Sequence, residues 1–570
     1  MIIEIDYFWT QNKKSIKNQY MVYSKYYDKI KYFFFLLSIL FFSNCSNKID
    51  LIVHNAVVYT VDDYGNKQSA FAINDGKFIA VGGDEIMEDY SAKSIVDAKG
   101  LPIYPGFIDS HCHYLSLGIK QGEIDLVGTN SFDEIIVKIK EYSEKQEKEF
   151  IIGRGWDQND WEDKSLPSKE KLDDLFPETP VILTRVDGHA MLVNQKVLDL
   201  AGISLNTNVD GGEIIKKGNK ITGVLIDSAM DFVKRIIPKK TIEDKIEALL
   251  SAQEICFSNG LTTVSDAGLD KEDILLIDSL QSKDVLQIKV YAMISNNKES
   301  LDYFLKRGII KTNNLNVRSV KVYADGALGS RGAALKKPYS DRKGHKGAFL
   351  TPIDSIESLA YRLAQTDFQM NTHAIGDLAI SEVLDAYRKA LVFSDDPRWR
   401  IEHVQIVDTS DISLFNKKII PSVQPTHATS DMYWVEDRIG SSRIVGAYPY
   451  KNLLKEAGSI ALGTDFPVEN VNPILTFYAA ITRRDANDFP EDGFNYENAL
   501  TREETLRGMT IWGAKANFEE KEKGSIEVGK KADFVILDRD IMIESNKRIL
   551  TTKVVATILD GRIVYSNRFN

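Results

Sequence analysis

Pro105-Gly106-Phe107-Ile108-Asp109-Ser110-His111-Cys112-His113 begins at a turn pair, runs through apolar residues and ends in two histidines one residue apart. Side chains at i and i+2 of a strand point the same way, so His111 and His113 can reach one ion while Cys112 belongs to the opposite wall. Further strand-like runs follow outward from this stretch. FIIGRGWD, VILTRVDGHA, GLTTVSDAG, QIKVYAMIS, SVKVYADGA, FQMNTHAIGD, WRIEHVQIV, IPSVQPTHA and SIALGTDFP alternate with segments of helical spacing such as those starting at Ser131 and Thr241. Alternation of this kind predicts a parallel sheet covered by helices. The expected fold class is therefore α/β, a (β/α)8 TIM-like barrel over residues 105–515. Ten candidate strands are more than such a barrel needs, and periodicity does not say which two are surplus. His113 and Lys321 are also much farther apart than three βα units require, which predicts a large insertion, placed around residues 150–250.

The two ends of the chain read differently. LIVHNAVVYTV and SAFAINDGKFIAVGG near the start, and GSIEVGKKADFVILD and VVATILDGRIVYSN near the end, are β-rich runs with Asp75-Gly76 and Asp560-Gly561 as hairpin turns. They predict one small β-sandwich built from both termini, residues 46–104 and 516–570.

Five of the eight histidines, His111, His113, His373, His403 and His427, stand at or near the C-terminal ends of strand runs. In a βα barrel that is the face where active sites are built. An isolated H-x-H is a weak signal. Its weight comes from Lys321, His373, His403 and Asp465, each at the end of an apolar run. An unpaired charge buried inside a barrel costs several kcal/mol, and a metal cluster would compensate all of these groups together. His373 and His403 are about one βα unit apart and Asp465 about two further on, which suits neighbouring strands with His427 on the one between.

At this point the motifs resemble a known group. The stretch ending His111-Cys112-His113 resembles the first-strand motif of the amidohydrolase superfamily of metal-dependent hydrolases, and GSIEVGKKADFVILD resembles the sandwich that flanks its barrel. Lys-Val-Tyr-Ala-Asp-Gly-Ala-Leu-Gly-Ser-Arg-Gly from Lys321, Asn-Thr-His-Ala-Ile-Gly-Asp around His373, Ile-Glu-His-Val-Gln around His403 and Leu-Gly-Thr-Asp-Phe-Pro around Asp465 are similar to its amidohydrolase-family-3 branch, which includes N-substituted formamide deformylases. The resemblance runs from about Ile49 to Ser566. It implies His111 and His113 as ligands of one metal, His373 and His403 as ligands of a second, and Lys321 between them as a carbamate. That reaction needs a neutral amine, so burial and nearby cations must depress the lysine pKa of about 10.4. The resemblance further implies Asp465 as ligand and general base for a metal-activated water. One or two divalent ions are implied, zinc foremost, although imidazole and carboxylate donors also suit iron, manganese or nickel.

Other residues read as candidates for substrate contact. His189 in Val-Asp-Gly-His-Ala is either a satisfied loop histidine or a group that holds a substrate carbonyl. His427 is a substrate contact because the implied coordination places are already filled. Asp325 and Arg331 are placed to meet substrate, with a turn cap and a surface ion pair as the alternatives. Trp156 and Trp161 form either an aromatic lid or ordinary packing.

Composition narrows the function. The chain has 570 residues, 43% of them hydrophobic, and a formal charge of −11, which suits a folded enzyme and argues against nucleic acid as a partner. Three cysteines exclude a disulfide framework. Phe33 to Phe42 is an apolar run about half the length that spans a bilayer, preceded by Lys25, Lys29 and Lys31. With Cys45 directly after it, residues 1–45 resemble an export leader with a lipidation site at Cys45. That would hold the protein at a bacterial membrane surface, or leave it periplasmic or secreted if the cysteine is not used. The function read from the whole is hydrolysis of a non-peptide C–N bond in a small amide, formamide or cyclic amide. The alternatives are metal-dependent hydrolysis of esters or other electrophiles, and a solute-binding lipoprotein on the same scaffold. Oligomeric state leaves no trace in the sequence.

Overall fold

The fold is that of a computed structural model, which describes residues 48–145 and 149–567. The leader run and Cys45 lie outside the described residues. Among the described residues no helix is long and apolar enough to cross a membrane.

Eight parallel strands follow chain order around a barrel sheet: β1 (Phe107–Cys112), β2 (Leu261–Leu269), β3 (Lys289–Ser295), β4 (Leu315–Tyr323), β5 (Gln369–Ala374), β6 (Trp399–His403), β7 (Ile419–Val423) and β8 (Ala461–Leu462). Every residue of β1, β5, β6 and β7 is buried, as expected where helices cover the outside and side chains fill the inside. The sheet is nearly closed. Asp465 N donates to His111 O at 2.8 Å and His113 N to Phe466 O at 2.7 Å, which joins the two ends at the site rim. Asp109 locks the seam from inside, accepting from Thr464 Oγ1 at 2.7 Å and His111 N at 3.1 Å. Glycine is required beside it, because a Cβ on Gly463 would lie 2.6 Å from His111 N.

The chain between β1 and β2 builds a separate mixed sheet of six strands, beginning at Ile124, earlier than residue 150, and ending at Asp227. It contains the two surplus runs, Ile151–Trp156 and Val181–Arg185. They imitate barrel strands because they pair with each other in parallel and are largely buried. Trp156 and Trp161 pack in the core of this sheet with their indole N–H groups on the carbonyls of Leu183 and Thr129, so they are packing and not a lid.

Strands from both ends of the chain meet in a six-stranded sheet where Phe534–Ile536 pairs antiparallel with Ile103–Pro105. A four-stranded sheet spanning Ile49–Asp97 lies against it. Val53, Phe71 and Phe78 of the latter share one apolar core with Val58, Ile103 and Phe534 of the former.

Candidate metal centre

At the C-terminal rim of the barrel, β1 delivers His111 and the residue just past its end, His113, β4 delivers Lys321, β5 His373 and β6 His403, and the turn after β8 brings Asp465. Ligand atoms of His111, His403 and Asp465 all lie within 4.8 Å of one another. Asp465 Oδ1 is 3.3 Å from His113 Nε2 and 3.6 Å from His111 Nε2, and Lys321 Nζ is 3.1 Å from His111 Nε2. The His373 ring stacks edgewise on that of His403 at 4.5 Å. His111, His403 and Asp465 therefore form one compact cluster, with His113, Lys321 and His373 against its edges.

Two of them arrive by unusual backbone. His403 has φ +76° and Asp465 φ +63°, left-handed conformations that non-glycine residues seldom adopt and that cluster at functional sites. At His403 the turn breaks strand alternation. Consecutive residues Glu402 and His403 thus both face inward, and Glu402 Oε2 accepts from His111 Nδ1 at 2.6 Å, both side chains fully buried.

The electrostatics suit a divalent cation. Burial drives His111 down to about 4 and holds His373 and His403 well below the ordinary imidazole value, so all three are neutral donors at neutral pH. Burial alone would raise the Asp465 carboxyl, but the imidazoles of His113, His111 and His427 hold it well below the carboxylate range. Burial also pushes the Lys321 amine down to about 8, against the pull of Glu402 and Asp465. His373 Nε2, His427 Nε2 and Asp465 Oδ1 are buried without a hydrogen-bond partner. Native interiors seldom leave such groups unsatisfied, and three neutral imidazoles with a carboxylate and a depressed amine form a donor set that a metal ion completes.

A supporting layer escaped sequence reading. Glu402 orients His111, His403 Nδ1 donates to Gln424 Oε1 at 2.9 Å, and Gln405 Nε2 lies 2.9 Å from His427 Nδ1. Glu402 lies inside the Ile-Glu-His motif, yet nothing in the motif assigns it a role. We expect Glu402→Gln to weaken metal affinity by about 10- to 100-fold, because the neutral amide no longer raises the basicity of His111. Competition against a chelator of known affinity measures this, and an unchanged affinity refutes it.

His189 and His427 both line the central cavity. His189 Nδ1 donates to Asp227 Oδ1 at 2.7 Å, and its ring lies 5.3 Å from that of His373. Asp227, a strand-end residue in GVLID, was missed. The substrate-contact readings of Asp325 and Arg331 are corrected by their surroundings. Asp325 is fully buried and its oxygens accept from the backbone N–H groups of Ala334, Ile375 and Gly376 at 2.8–3.0 Å, so it pins the loop behind His373. Arg331 pairs with Asp341 at 2.8 Å, away from the central cavity.

A rim of buried imidazoles around a carboxylate and a lysine, on a nearly closed parallel barrel, defines a metal-dependent hydrolase. Residues 94–565 match the amidohydrolase family. The chain is 30% identical to the putative amidohydrolase YtcJ of Bacillus subtilis, covering 90% of this chain and 99% of that one. It is 24% identical to an N-substituted formamide deformylase of Arthrobacter pascens, with 90% and 98% covered. Among solved structures, an uncharacterized metal-dependent hydrolase from Pyrococcus horikoshii superposes with a TM-score of 0.71 at 28% identity, over 87% of this chain and 99% of that one. The chain belongs to the amidohydrolase family.

Proposed function

We propose that this enzyme hydrolyses a small amide, formamide or cyclic amide with one or two divalent ions, zinc foremost, held by His111, His113, His373, His403 and Asp465 with Lys321 between them. The observation that carries this reading is the convergence of buried donors that meet no partner, His373 Nε2, His427 Nε2 and Asp465 Oδ1. When bound, the ions acidify water and polarise a carbonyl. Asp465, held ionised among imidazoles, accepts a proton from the attacking water and returns it to the leaving nitrogen. His189, fixed by Asp227, presents its other ring nitrogen to the cavity and steadies the substrate oxygen. The depressed Lys321 amine supports a carbamate at that position, since the neutral form is the one that reacts. The named activity of the Arthrobacter relative supports the choice of bond. The leader resemblance supports an exported enzyme anchored at Cys45.

The test is a panel of N-substituted formamides, N-acyl amines and cyclic amides, assayed with elemental analysis of the same sample. We expect turnover of at least one class, its abolition by a chelator and its recovery on adding zinc. Stoichiometric metal with no turnover on any class would favour the solute-binding alternative.

A further inference from the structure

The cavity above the metal centre, about 940 Å³, is walled partly by the inserted sheet, and its cations are unequally matched. Arg185 is held by Asp157 and Asp187, Lys120 lies 3.4 Å from Asp125, and Lys234 lies 2.9 Å from Asp231. Lys321 belongs to the metal centre. Arg154 remains. Among the described residues no carboxylate forms an ion pair with it. Its Nη2 donates to Val186 O at 3.3 Å, while its Nε is buried and meets no partner.

The fold makes room for this guanidinium and holds it. Gly188, with φ +74°, passes over it so closely that a Cβ there would lie 3.1 Å from Nη2. Burial lowers Arg154 from its ordinary value, and Glu123, Asp187 and Asp465 offset this in part without forming an ion pair with it. A half-buried cation with no ion-paired carboxylate and an unsatisfied buried Nε is costly to retain, and a planar anion fits its fork of donors.

We infer that Arg154 anchors a carboxylate carried by the substrate, so that the amide cleaved at the metal centre belongs to an N-acylated or N-formylated amino acid or a similar carboxylate-bearing amide. The naming of the cleaved bond rests on the proposed function; the anion site does not. A monoanion is favoured over a phosphate because Asp157 and Asp187 line the same wall and repel a dianion.

The experiment compares N-formyl-leucine with its neutral carboxamide as ligands of the metal-loaded enzyme, by calorimetry, or by kcat/KM where they are hydrolysed. The free acid is expected to bind about 10- to 100-fold more tightly, the range for a hydrogen-bonded charge. Arg154→Gln is expected to remove that contrast by weakening the free acid about 10- to 100-fold more than the carboxamide, and Arg154→Lys to keep part of it. If the contrast appears and vanishes in this way but neither compound is cleaved, the anion site stands and the assigned bond falls. If the carboxamide is cleaved and bound as well as the acid, the hydrolase stands and this inference is overturned. Persistence of the contrast in Arg154→Gln, equal loss for both ligands, or stronger competition by inorganic phosphate than by acetate also overturns it. Should Arg154→Gln fail to fold, the wild-type contrast and its reduction in Arg154→Lys decide the matter.

Discussion

Asp465→Asn is expected to lower kcat by about a hundred- to ten-thousand-fold, the range attributed to a positioned acid–base group. Asp465 is the carboxylate on which the site converges, with imidazole nitrogens of His113, His111, His427 and His403 between 3.3 and 4.0 Å away. Its surroundings keep it ionised at neutral pH, the state the proposed proton transfer starts from. Asparagine has the same shape, cannot accept that proton, and is one of the few non-glycine residues that tolerate the left-handed backbone found here. The substitution therefore tests chemistry and not folding. Metal content and kcat should be measured on one sample. Lost activity with metal retained assigns the proton transfer, lost metal assigns coordination as the main role, and activity within a few-fold of wild type would remove Asp465 from the reaction.

The barrel and its histidines were legible because strand alternation and spacing are local properties. His111 and His113 follow the i, i+2 rule, and Cys112 is buried on the opposite side as that rule requires. What alternation conceals is its own failure. Glu402 and His403 are adjacent, so period-two reasoning sends one of them outward, but the positive φ at His403 turns both inward. The surplus strands defeated periodicity for a related reason. A parallel, buried strand in an inserted sheet carries the same pattern as one in a barrel, and only long-range pairing distinguishes them. The partners of His189 and Arg154 are likewise matters of tertiary approach. Asp227 reaches His189 from another strand, and the lack of an ion pair at Arg154 shows only once Asp157 and Asp187 are seen to be committed to Arg185.

Lys289→Met is expected to cost about 3–5 kcal/mol of stability, the range for removing one partner from a buried ion pair. Lys289 opens β3 at the end of the barrel away from the metal centre. It is wholly buried, with Nζ 2.6 Å from both oxygens of Asp533 and 2.7 Å from Asp560. Burial would raise the Asp533 carboxyl, but Lys289 outweighs this and holds it low. Without the lysine, Asp533 is left charged in the interior, or must bind a proton at a cost that grows with pH. The same carboxylate accepts from Asp560 N at 2.9 Å, so one cation ties the barrel floor to the strands contributed by the C-terminus. Adding Asp533→Asn to Lys289→Met is expected to recover part of the loss, because an amide needs no counter-ion, whereas independent sites would simply add. Denaturant unfolding measures the loss, and kcat at low temperature measures its reach. Because the site occupies the opposite rim, kcat should stay near wild type while stability falls. A fall in kcat at unchanged stability would mean that the terminal sheets shape the catalytic face and do not only support the barrel beneath it.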